Sequence, residues 1–317
     1  MAQCAAAYFR LRRRSDWLGG YQIPQLDNRQ ALEQALWVAL IPGAVLFAVL
    51  QTAAVARTGY LGFDSHAYWM AIRLPETWYS RPAESRDAYL YSPAFAQIMW
   101  PLAGLPWRVF QCLWMTAQVG VLGWLLAPLG WQRALTLSLF FSTEILLGNV
   151  FIFFAAALVL GLGRVPGALA LTLLTKVSPG VVGVWFLIRR DWRAARSVFF
   201  VTVLLSCASA VLAPGAWWDW FHFLLHSAST KGGAAVLRPI VALTIVVIAA
   251  RTGRAWLLAP ALLIACPVTN GFAPLAVLSA IPRLLAFERS AQDAAAVECS
   301  AGQGAKAPYV REIESME

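Results

Sequence analysis

Apolar residues along this chain fall in long blocks. They do not follow the alternation of a half-buried strand or the three-to-four spacing of an amphipathic helix. Blocks at 33–56, 91–104, 108–129, 134–147, 149–163, 166–188, 197–213, 236–250, 255–267 and 271–287 predict about ten helical spans, because a full crossing takes roughly 20 residues and half-spans inside a bundle take fewer. The region 134–163 is interrupted in "ILLGNVFIFF" at Gly148 and Asn149. It reads as two short spans or as one re-entrant hairpin, since broken helices at membrane depth are tolerated where they face protein or a water-filled cavity. Two longer stretches, 57–90 and 214–236, are expected to build an external face. In the second, Trp217, Trp218, Trp220, Phe221 and Phe223 mix with Asp219, His222 and His226, the pattern of a helix lying in the interface plane. The predicted class is an all-α polytopic membrane protein with short external interfacial helices. It divides into an N-terminal segment (1–32), a transmembrane bundle (33–288) and a polar tail (289–317) expected to be disordered.

Composition supports the membrane reading. The 317 residues are 60% hydrophobic and only 13% charged, against about 25% charged in soluble domains. Fifteen tryptophans suit the membrane interface. The net charge of +9 does not imply a nucleic-acid partner, because the basic residues cluster at the ends of apolar blocks and form no single stripe. Arg10, Arg12, Arg13 and Arg14, the run "RRDWRAAR" (189–196), Arg251, Arg254, Arg283 and Arg289 share one side of a ten-span topology. That side is expected to be cytoplasmic, with both termini on it. Arg57, Arg73, Arg81, Arg86, Lys231 and Arg238 fall on the other side. The N-terminal 20 residues have arginines but no following apolar core and cleavage site, so the first span is expected to act as an uncleaved signal anchor. The five cysteines, at 4, 112, 207, 266 and 299, show neither CxxC nor metal spacing, which argues against a disulfide framework.

No nucleotide signature is present: GxGxxG, GxxxxGK[ST] and DxD are all missing, as are HExxH and GxSxG. No metal and no cofactor are expected. Asp64, in "GYLGFDSHAYW" just after the first block, can be a general base at the membrane surface or the cap of a short external helix, "DSHAYWMAIRL". His66, two residues on, cannot share a helix face with it and reads as a substrate contact or a surface histidine. In "YLYSPAFAQIMWPLAGLP", Pro93 suits a helix start, and Tyr89 and Tyr91 suit an aromatic belt. Lys176, in "ALALTLLTKVSPGVVGVWFLI", is the sharpest anomaly. It is an ammonium near mid-span, followed by Pro179 and Gly180, where the helix is expected to break. Such a site suits an anionic ligand; the bland alternative is an ion pair with Glu144. Lys231 and Arg238 flank "GGAAV" and can grip a lipid phosphate or sit in a solvated loop.

The order of these pieces (an Asp after the first span, "YLYSPAFAQIMWPLAGLP", "LLGNV", "LLTKVSPG", a basic arm after "RRDW", and "CPVTN") resembles the polyprenol-phosphate-mannose-dependent mannosyltransferases of glycosyltransferase family 87, in the GT-C superfamily, over roughly residues 33–285. The family pattern reads Tyr-x-Tyr-Pro-Pro, Gly-Asn and Lys-x-x-Pro. Here "YSP" (91–93) stands in place of Tyr-Pro-Pro, and the chain is shorter than most members. The resemblance implies a GT-C-like bundle with its site on the external face of a bacterial inner membrane. It implies a polyprenyl-phosphate sugar donor, mannose or another hexose, and a glycolipid or envelope glycan acceptor. Asp64 would be the inverting general base. Lys176, Arg238 and Lys231 would face the donor phosphate, and His66, Tyr91, Asn149, His222 and His226 would contact substrate. Two other readings stay open: a transporter or flippase with Lys176, Glu144 and the Gly-Asn break along its path, and an inactive scaffold of the same fold.

Overall fold

The computed structural model describes residues 28–82, 85–229, 234–266 and 271–290. Among them every regular element is helical. Two compact units, 1–40 and 41–317, make up the chain, and the site described below lies within the second. Lys231, positions 267–270 of "CPVTN", residues 1–27 and the tail from 291 lie outside the described residues.

In chain order the helices are α1 (Asn28–Thr58), α2 (Phe63–Arg73), α3 (Pro93–Ile98), α4 (Trp107–Leu126), α5 (Trp131–Phe140), α6 (Ser142–Leu147), α7 (Phe151–Leu162), α8 (Ala170–Thr175), α9 (Val184–Ile188), α10 (Trp192–Leu212), α11 (Pro214–Ser229), α12 (Ala234–Thr252), α13 (Leu258–Ala265) and α14 (281–290), joined in places by 3-10 turns. Among the described residues three helices are long and apolar enough to cross a membrane: Ala31–Thr58, Trp107–Leu129 and Trp192–Leu212. All three keep large apolar side chains exposed, for example Val49 and Leu50, Leu113 and Val119, and Phe199, Phe200 and Leu204. Lipid solvates such a surface, whereas water would not. The protein is an all-α membrane protein.

Of the remaining apolar blocks, 236–250 lies within the continuous helix α12 and 149–163 holds the short α7, while others are interrupted. The block 166–188 is a 3-10 turn (Pro166–Leu169) running into α8, an extended Lys176 (φ −136°, ψ 118°), then a second 3-10 stretch (Ser178–Gly183) running into α9. The break expected at Pro179 and Gly180 is present, but it falls three residues earlier, at Lys176, and Pro179 and Gly180 lie in the 3-10 stretch that follows. The break at Gly148 and Asn149 is present too: Gly148 ends α6 in the left-handed region (φ 72°), and α7 starts at Phe151. The block 91–104 contains only α3, with Pro93 in its first turn, and the 3-10 turn Trp100–Leu102. Stretch 214–236 begins as the continuous helix α11, as its aromatic pattern predicts.

Helix α7 is the centre of the core. Phe151, Ile152, Phe154, Ala155 and Leu158 are all buried, and α7 packs on the 3-10 stretch Ala273–Ala280, on α4 and on the turn at 166–169. Small residues on the facing surface, Ala273, Ala276 and Ala280, let the backbones approach closely. Close packing is what drives helix association where lipid removes most of the hydrophobic difference. Because α7 is fixed this firmly, the Gly148–Asn149 turn at its N-terminus is fixed with it.

Candidate active site

Helix α2 leaves the end of α1 through Gly62, whose φ of 69° is one that only glycine adopts at no steric cost. The Gly62 N–H donates to the Leu146 carbonyl (2.7 Å), and a Cβ there would lie 2.6 Å from Gln111 Oε1. One turn on, Ser65 Oγ donates to the same Gln111 Oε1 (2.5 Å). Helix α2 is thus clamped against α4 and α6 at its first turn.

That clamp settles where Asp64 points. Gly62, and not Asp64, occupies the N-cap, and no side chain caps the helix, so the expectation that Asp64 is the capping residue is corrected. Asp64 sits within the first turn, where the helix dipole favours a carboxylate. It turns towards the α6–α7 break, where Asn149 Nδ2 donates to Asp64 Oδ2 (2.8 Å). Asn149 Oδ1 accepts the Val150 N–H (2.7 Å). The amide's two ends are therefore assigned by their partners, with its N–H group committed to Asp64.

Lys176 approaches from the break between α8 and the following 3-10 stretch. Its Nζ lies 4.3 Å from the Phe151 ring centroid and 5.4 Å from that of Tyr91, and its charge reaches Asp64. Burial pushes the Asp64 carboxyl up to about 6, against the Lys176 charge and the Asn149 hydrogen bond, which both pull it down. A carboxylate with this pKa is ionised at neutral pH yet more basic than usual, which suits a general base.

The aromatic belt expected around Tyr89 and Tyr91 is instead buried structure. Both side chains are nearly inaccessible. Tyr91 Oη is 2.9 Å from Tyr68 Oη, and the Tyr91 carbonyl accepts from Tyr79 Oη (2.7 Å). Tyr68 was not among the predicted site residues, although it could have been. It stands four residues after Asp64 in α2 and so shares its face. Ser92, where the family pattern has proline, is fully buried, and its Oγ donates to the Leu174 carbonyl. That bond ties the Tyr91 segment to the helix that presents Lys176, a link proline could not make.

Structure thus brings Asp64, Tyr91, Asn149 and Lys176 together. His66 faces elsewhere: its Nδ1 lies 2.5 Å from Asp87 Oδ1, its ring meets Trp107, and Asp87 also has Arg81 at 3.8 Å. His222 packs on Trp218, and both His222 and His226 are exposed on α11. Arg238, on α12, donates to the Cys266 carbonyl (3.3 Å) at the end of α13. Glu144 turns Oε1 to the Ile152 N–H (3.2 Å) at the start of α7 and so serves that helix end. Among the described residues no group of three or more His, Cys, Asp or Glu is placed to hold a metal.

No curated protein and no solved structure matches the chain. The model of glycosyltransferase family 87 matches residues 89–302. That segment contains Tyr91, Asn149, Lys176 and Arg238. Asp64 precedes it and joins it through the hydrogen bond from Asn149. With more than half of its length matched, over the segment that supplies Asp64 with its partners, the chain belongs to glycosyltransferase family 87.

Proposed function

We propose that this membrane glycosyltransferase moves a hexose, mannose first among the candidates, from a polyprenyl-phosphate donor to a hydroxyl of a glycolipid or envelope glycan. The reaction takes place on the external face of a bacterial inner membrane, with both chain termini cytoplasmic. The observation that carries this reading is the half-buried Asp64 carboxylate, oriented by Asn149 and within electrostatic reach of Lys176. One group of this set accepts a proton and the other attracts an anion, which is what transfer from a phosphate-linked sugar needs at its two ends.

In the proposed step the acceptor oxygen forms a bond to the anomeric carbon as its proton passes to Asp64. The bond from that carbon to the phosphate oxygen breaks, and its electron pair leaves with polyprenyl phosphate. Single displacement inverts the anomeric centre. Lys176 stabilises the departing phosphate, and the Phe151 and Tyr91 rings flank its ammonium, screening it from water so that its charge acts at higher effective strength. Asp64 as base accounts for roughly 10²–10⁴-fold of the rate, with positioning contributing the rest. An apolar cavity of about 170 Å³ runs past Val150 and Thr175, the neighbours of Asn149 and Lys176, and suits part of an isoprenoid chain.

The test is transfer of radiolabelled sugar from a panel of polyprenyl-phosphate sugars to envelope lipid extract, with purified full-length protein and its Asp64→Asn variant. Transfer by the parent and none by the folded variant is expected. Equal transfer by both removes Asp64 from the chemistry. Flux of intact lipid-linked sugar across proteoliposomes without cleavage replaces this reading with a transporter.

A further inference from the structure

The Asp64–Asn149 hydrogen bond depends on a turn of two residues, and that turn is gripped from one side by a single helix. Trp114 Nε1 donates to the Gly148 carbonyl (2.8 Å). One turn along α4, Gln118 Nε2 donates to the Asn149 carbonyl (2.8 Å) and lies 3.3 Å from the Glu144 carbonyl. Residues 114 and 118 are four apart and share a face, so α4 holds the successive carbonyls of the turn with two side-chain donors. Gln118 is fully buried, and its Oε1 has no protein partner. A buried amide carbonyl without a partner is costly, on the order of 1–3 kcal/mol. That cost makes sense only through what the Nε2 end does, since an apolar side chain of the same shape would avoid it.

We propose that Gln118 and Trp114 are positioning residues for the base: they fix the Gly148–Asn149 backbone so that the Asn149 amide stays on Asp64. The inference rests on the reading of Asp64 as general base, and it adds two residues that act on Asp64 through the turn; Trp114 also lines the apolar cavity beside Val150 and Thr175, whereas Gln118 does not. The charged and titratable groups around Asp64 are Lys176, Glu144, Tyr68 and Tyr91; both substitutions leave these four residues in place, and of the two replaced side chains Trp114 also packs on the Tyr68 ring (centroids 5.4 Å). Loosening the turn weakens a hydrogen bond to the ionised carboxylate, so the Asp64 titration must move upward.

The test needs no substrate. Full-length protein in detergent is melted by tryptophan fluorescence from pH 4 to pH 8, as parent, Gln118→Leu and Trp114→Phe, each with and without Asp64→Asn. Within each pair the pH dependence of the Tm gap isolates the Asp64 titration. In both variants the pH at which the gap levels off is expected to rise by about half a unit or more over the parent. A uniform fall in Tm at every pH with the titration unmoved would mean that the two residues are merely structural, and would overturn the proposal. Trp114→Phe keeps the test decisive if Gln118→Leu does not fold, because it deletes the N–H donor and keeps an aromatic ring at the position. Where transfer is measurable, kcat of Gln118→Leu should fall about 10-fold or more with KM little changed, since a displaced base affects the transition state and not ground-state binding. Failure of the transfer assay alone bears on the proposed function; an unmoved titration bears on this proposal alone.

Discussion

Replacing Asp64 with asparagine should abolish transfer and at the same time make the protein more stable. The carboxyl titrates at about 6 in the folded protein against 3.8 for the ordinary group. The folded state therefore holds its proton more tightly than the unfolded state does. Stability from this group is fully present below pH 3.8 and is lost as pH rises through 6. A rise of about two pH units corresponds to about 3 kcal/mol at neutral pH. Asparagine keeps an oxygen for the Asn149 amide and carries no charge to desolvate, so it escapes this penalty. At pH 7.5 its Tm should exceed the parent's by about 5 °C, and at pH 4 the two should nearly coincide. Tryptophan-fluorescence melting of both proteins in one detergent measures this directly. An Asp64→Asn variant that melts with or below the parent at pH 7.5 would refute the view that burial dominates the environment of Asp64.

The remaining predictions concern the groups around it. Transfer rate should rise with pH through about 6, as Asp64 loses its proton; a pH–rate profile with no limb between pH 5 and 7 would contradict the assignment. Lys176→Met removes a charge that lowers the Asp64 pKa, so that limb should move upward and the donor KM should rise about 10-fold or more. Gly148→Ala places a Cβ against the Ser65 side chain at a φ of 72°. It should cost at least about 1 kcal/mol of stability and, by shifting Asn149, about 10²-fold in transfer. His66→Ala should leave transfer within about threefold of the parent and lower Tm slightly, because the partner it loses is Asp87 and the bond is worth about 1 kcal/mol.

What the sequence determined by itself is the environment and the parts. Long apolar blocks with charges at their ends admit an all-helical membrane protein and little else, because lipid leaves backbone polar groups no other partner. Two breaks were legible, since Gly148 and the pair Pro179–Gly180 weaken a helix wherever it lies, and the intramembrane Lys176 marked one of them. Asp64 was legible as a candidate, but its role was not: cap and base read alike from one strand of text. The choice between them rests on Gly62, whose positive φ takes the N-cap, and on Asn149, 85 residues away. Tyr68 was legible by its spacing and was missed. Gln118 was legible as a polar side chain in an apolar helix, but its partners were not, and Trp114 looks like any interior or interfacial tryptophan. Only the packing of α4 on the α6–α7 turn turns them into donors for its carbonyls. Likewise His66 and Asp64, two residues apart, are sent to different partners by the 100° step of the helix they share. Chemistry along the chain is set by composition; which groups meet is set by how the broken helices pack, and that is decided by contacts remote in sequence.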